Sequence, residues 1–135
     1  MTPVVRSGSV YPTATPALLY SFFMNSDKHS ATTGMPAKIN NKVGGKWSAF
    51  GGMIYGKNLV LIRNRRIVQT RRSKEWKTAD PDSILVVDFE KSPGGGAQVE
   101  LDHVGVPEYD HEGVTQGWMK FYWEPWKKYL NERKR

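Results

Sequence analysis

His103 is the residue whose placement most invites chemistry. It falls in phase with Ala97, Val99 and Leu101, so strand alternation turns its imidazole toward the face those apolar residues bury. A buried imidazole can be hydrogen-bonded within a core or can contact a ligand, and both readings stay open here. His29, in a polar helical stretch, and His111, in an N-terminal turn, read as solvated. The same alternation puts Ile67, Gln69 and Arg71 on one strand face, so if Ile67 turns inward the guanidinium follows it. A buried arginine has three outcomes: it pairs with a carboxylate on a neighbouring strand, it reaches solvent, or it awaits an anionic ligand. Trp47, Met53, Tyr55, Trp118, Tyr122 and Trp126 concentrate apolar and aromatic volume that serves equally as core or as the lining of a cavity. The polar tips of Tyr and Trp would let such a cavity orient a mostly apolar ligand through a few hydrogen bonds.

Other chemistries lack their residues. There is no cysteine, which removes disulfides, thiol catalysis and cysteine-ligated metal. No HExxH, paired-histidine spacing or calcium-loop alternation occurs, so no metal or other cofactor is expected. Gly44-Gly45-Lys46 is not a phosphate loop, because Asn40 stands at the first glycine position and Trp47 at the hydroxyl position. Gly-x-Ser-x-Gly is absent as well.

The elements that must position these residues follow from 135 residues, a length that suits one domain, read here as 1–135. Val4 to Tyr11 reads as a strand closed by Pro12. Thr15-Pro16 caps a short helix with Leu18, Leu19, Phe22 and Phe23 on one face, and Ser26-Asp27 opens a second that stops at Gly34. Glycine-punctuated β segments come next: 37–43, 46–50, 53–62, 66–73, 83–89 and 97–104, an antiparallel meander. Asp110-His111-Glu112 then looks like an N-cap and acidic first turn for a helix to about Asn131, whose wide aromatic face centres on Trp118. Pro125 lies inside that helix and should kink it. The plan is α+β, with a curled sheet of six to seven strands around the last helix and two short helices after the first strand.

Twenty Lys and Arg against thirteen Asp and Glu give a net charge of +7. Seven positive residues and one Glu lie between Arg63 and Lys77, whereas Asp80 to Glu112 holds nine carboxylates and one Lys. Neighbouring strands would neutralise each other, and the rest of the excess, Lys127, Lys128, Arg133, Lys134 and Arg135, complements a helix C-terminus. Nucleic acid is therefore not an expected partner. No apolar run approaches the roughly 18 residues of a membrane span, and Met1 to Val10 lacks the plan of a signal peptide, so a cytoplasmic protein without a membrane partner is expected.

The Val43-Gly44-Gly45-Lys46-Trp47-Ser48-Ala49-Phe50 hairpin, Gly52 to Gly56, Arg66-Ile67-Val68-Gln69 with Arg72 and Trp76, His103 to Pro107, and Gly117-Trp118 to Tyr122-Trp123 occur in an order that resembles a known family. It is the family related to the activator of heat-shock protein 90 ATPase, within the START-like or SRPBCC helix-grip superfamily, and the resemblance covers nearly the whole chain. It implies a long C-terminal helix gripped by an antiparallel sheet, often with an apolar cavity between them. Family members often read Ile-Val-Gln-x-Trp-Arg where this chain has Ile67-Val68-Gln69-Thr70-Arg71-Arg72, so an arginine stands in place of an aromatic.

The resulting expectation is a non-enzymatic helix-grip domain that binds an apolar or amphipathic small molecule. Trp47, Met53, Tyr55, Trp118 and Tyr122 would shape the site, and Arg71, Gln69 and His103 would make its polar contacts. The alternative is a co-chaperone-like module that contacts a heat-shock protein 90 type chaperone; in either case a monomer or homodimer is expected. A cyclase or hydrolase in the same cavity is a third class, and it would need a general acid or base such as His103.

Overall fold

Alternating burial along the β segments builds one sheet. The computed structural model describes residues 3–133. Its strands are β1 (Val5–Tyr11), β2 (Lys38–Ile39), β3 (Lys46–Ala49), β4 (Ile54–Ile62), β5 (Arg66–Ser73), β6 (Ser83–Lys91) and β7 (Ala97–Val104). They lie in the order β1-β7-β6-β5-β4-β3-β2, every pair antiparallel. The meander is thus closed by β1, which returns to pair with β7 so that Val5 faces His103 across the ladder.

Between β1 and β2 run α1 (Pro16–Met24) and α2 (Ser26–Thr33). Thr15 caps α1 by accepting a hydrogen bond from the Leu18 amide, and proline follows at the first helical position. α2 opens at Ser26 as expected, with Asn25 as its cap, and the left-handed Gly34 ends that helix. The C-terminal helix is continuous through α3 (His111–Trp118), a π-helical turn (Met119–Trp123) and α4 (Glu124–Arg133). Pro125 has no N–H for the Phe121 carbonyl, and just before it the Glu124 amide reaches back five residues to Met119. The expected kink is a widened turn.

That turn brings Trp118, Tyr122, Trp123 and Trp126 all onto the buried side. Trp126 packs against Tyr11, Phe22 and Trp123 at centroid distances of 5.9, 5.4 and 5.3 Å. Trp123 donates its indole N–H to Ser7 Oγ at 2.7 Å, and Tyr11 donates its hydroxyl to the Trp123 carbonyl at 2.9 Å, which pins the helix to the edge strand. Across the ladder, Arg66 binds Asp88 through two N–H groups and Arg72 binds Asp82, so the basic and acidic stretches do neutralise each other on the outer face. Lys134 and Arg135 of the basic tail lie outside the described residues.

Three expectations change. The strand expected at 37–43 is only two residues long, because Asn58 Nδ2 donates to the carbonyls of Asn40 and Lys42 and folds that segment into a loop. Asp110 does not cap α3; its carboxylate accepts the Trp76 indole N–H at 2.7 Å. His29 is not solvated but 2% exposed. Trp126→Ala should destabilise the protein by about 3–5 kcal/mol in denaturant unfolding, because a fully buried indole at the helix–sheet seam leaves a cavity that rigid neighbours cannot refill.

Candidate functional site

Between the concave face of the sheet, the turn at 50–54 and the C-terminal helix lies a cavity of about 520 Å³. Sheet and turn contribute Phe50, Met53, Ile54, Arg71, Ser73 and His103; the helix contributes Val114, Gly117, Trp118, Phe121 and Tyr122. Met35, Met53 and Phe121 are lining residues that are also exposed, so they form an apolar mouth. Phe50 holds a left-handed φ of 54°, an unusual conformation for an aromatic residue. This places its ring edge-on against His29 and Tyr122 at 6.2 and 5.4 Å.

Arg71 occupies the buried end. Inward residues of β5 alternate as Ile67, Gln69, Arg71 and Ser73, and pairing of Arg71 with Ser83 fixes its backbone. The residue is 7% exposed. Its guanidinium carbon lies 4.6 Å from the Trp118 ring centroid, 5.2 Å from Trp47 and 5.6 Å from Tyr122. Nη1 is buried with no hydrogen-bond partner, and no carboxylate pairs with the group: the ion pairs among the described residues are Arg6–Asp102, Arg66–Asp88 and Arg72–Asp82.

Both nitrogens of His103 are engaged. Nδ1 accepts the Trp118 indole N–H at 3.3 Å, which leaves the proton on Nε2 to be donated to Ser83 Oγ at 2.7 Å; Ser83 in turn donates to the Arg71 carbonyl at 2.5 Å. Burial, reinforced by the positive charge of Arg71, pushes the His103 pKa down to about 3. The ring is therefore neutral and hydrogen-bonded on both sides. His29 Nε2 shares a hydrogen bond with Tyr122 Oη at 3.0 Å, and the same two causes, burial first, bring its pKa down to about 3. Burial raises the pKa of Tyr122, opposed by Arg71.

Of the residues singled out by the sequence, Met53, Arg71, His103, Trp118 and Tyr122 line the cavity, and Trp47 flanks it through Arg71. Two do not belong to it. Tyr55 pairs with Arg72 on the outer face and is exposed. A bulge between Asn58 and Val60 reverses the alternation of β4, so Tyr55 and Leu61, of equal parity, face opposite sides. Gln69 points inward but donates to Asn58 Oδ1 at 3.0 Å, bracing that bulge. His29 and Phe50 are participants that sequence reasoning missed. His29 sits in SDKHSATT, which has no apolar stripe, and the left-handed φ of Phe50 has no sequence signal beyond the Gly51-Gly52 that follows.

Comparison with known proteins places this arrangement. The model of the family described as Activator of Hsp90 ATPase homolog 1-like protein matches residues 13–131. An activator of 90 kDa heat shock protein ATPase homolog from Dictyostelium discoideum is 32% identical over 101 residues, covering 75% of this chain and 26% of that protein. Homolog 1 from Homo sapiens is 28% identical over 109 residues, covering 81% of this chain and 32% of that protein. This chain therefore spans about a quarter to a third of the length of these curated relatives. The crystal structure of an HSP90 activator from Plasmodium falciparum superposes with a TM-score of 0.84 at 23% identity, covering 96% of this chain and 97% of that one, and confirms the helix-grip fold.

The two buried histidines set the acid response. Each folded pKa lies below the unfolded value of 6.5, so their contribution is complete above that value and is lost as pH falls beneath it, down to about 3. Unfolding in urea should show a loss of about 2 kcal/mol per histidine between about pH 7 and about pH 5. His29→Gln should remove about half of that dependence.

Proposed function

The chain belongs to the family of Activator of Hsp90 ATPase homolog 1-like proteins, and on that premise we propose that it is a non-enzymatic helix-grip domain that binds an apolar or amphipathic small molecule between its sheet and C-terminal helix. The observation that carries this reading is the cavity itself. Its volume of about 520 Å³ falls within the roughly 300–1,000 Å³ range of small-molecule sites, and its walls are mostly aromatic and aliphatic, with a few polar groups. Its exposed apolar mouth would admit a ligand of low polarity.

A second reading, association with a heat-shock protein 90 type chaperone, is favoured by the names of the relatives and by the Plasmodium falciparum activator, a solved chain of nearly the same extent. Stimulation of a chaperone's ATPase at low protein excess would put this reading first, and an unchanged rate leaves the cavity reading ahead.

The cavity reading is tested with Nile red, a neutral apolar dye. The parent should bind it with a blue-shifted emission. Gly117→Leu, which places a side chain on the cavity wall at a helical position, should keep the fold and weaken binding by about tenfold or more, a loss of about 1.4 kcal/mol. Equal binding by both proteins would remove the cavity from the account.

A further inference from the structure

We infer that the ligand carries a carboxylate, which seats on Arg71 at the buried end of the cavity while its apolar body extends toward the mouth. This rests on the cavity reading above and adds to it the chemical class of the ligand and its direction of entry. Among the described residues, the other polar side chains of this wall that are not exposed already have partners. His103 is bonded at both ring nitrogens, Tyr122 Oη to His29, Arg72 to Asp82 and Asp110 to the Trp76 indole. Glu75, which also lines the cavity, is exposed.

Arg71 differs from all of these. Three aromatic rings surround its guanidinium carbon, and a ring attracts the charge without supplying the acceptor oxygen that an N–H group needs. Buried Nη1 has no acceptor, and no carboxylate lies within ion-pair distance of the guanidinium. A planar fork of donors in a water-poor site matches a carboxylate, which accepts two parallel N–H bonds and cancels the charge. A neutral head such as an alcohol would do neither. Because the guanidinium sits at the closed end and Met35, Met53 and Phe121 at the open one, the acid enters head first.

The test uses matched pairs in competition with Nile red: decanoate against 1-decanol, and 2-naphthoate against 2-naphthalenemethanol. In the parent, each acid should displace the dye at least about tenfold better than its alcohol, the scale of a hydrogen bond to a charged group. Arg71→Met should lose the preference for each acid over its matched alcohol and, without any ligand, melt at a higher temperature because an unpaired buried charge is gone. If Arg71→Met does not fold, the acid–alcohol comparison in the parent decides alone. Equal displacement by acid and alcohol overturns the inference and leaves the cavity reading standing. Absence of binding by the dye and by all four compounds overturns both.

Discussion

A cation held among aromatic rings in a place without an acidic partner sets the electrostatics of the whole interior. Stacking on Trp118, Trp47 and Tyr122 returns roughly 0.5–2 kcal/mol per ring, whereas leaving a charge buried and unpaired costs several. The imbalance has visible consequences. His29 and His103 both stay neutral partly because Arg71 already supplies the positive charge of this region. His103, Tyr122 and Ser83 bond to Trp118, His29 and the Arg71 carbonyl, and the guanidinium keeps a buried Nη1 without an acceptor.

The scaffold is arranged to hold that group still. Ser83 fixes the Arg71 carbonyl and His103 fixes Ser83, while Trp118 both stacks on the guanidinium and donates to His103. One ring thus serves the charge and the histidine together. The π-helical turn ahead of Pro125 supplies the geometry: the extra residue in that turn lets adjacent Tyr122 and Trp123 both face the sheet along with Trp118 and Trp126. Trp123 and Trp126 anchor the helix to β1 and α1, and Trp118 and Tyr122 are left to face the cavity.

Much of this was legible in residue spacing. Strand alternation placed Arg71 and His103 inward, glycine pairs marked the hairpins, and the aromatic face of the last helix marked its burial. What escaped has physical causes. A bulge in β4 is a backbone event with no residue signature in Asn58-Leu59-Val60, and it turned Tyr55 outward. Gln69 faced the expected side, but its partner Asn58 comes from across the ladder, which alternation along one strand does not reveal. His29 escaped because α2 has no apolar period; its imidazole is buried by Phe23, Phe50 and Tyr122, brought in from three other segments. The fate of Arg71 could be narrowed to three outcomes, and choosing among them needed the positions of every neighbouring carboxylate.

The central claim concerns the state of one guanidinium, and arginine side-chain ¹H–¹⁵N spectra read it directly. An Arg71 Nε–H signal, assigned by its loss in Arg71→Met, should stand apart from the other arginines, shifted upfield by the ring currents of Trp118 and its neighbours. It should also exchange slowly with water and move on addition of decanoate. An Arg71 signal inside the solvent-exposed cluster, exchanging as fast as the rest and indifferent to the acid, would contradict the account.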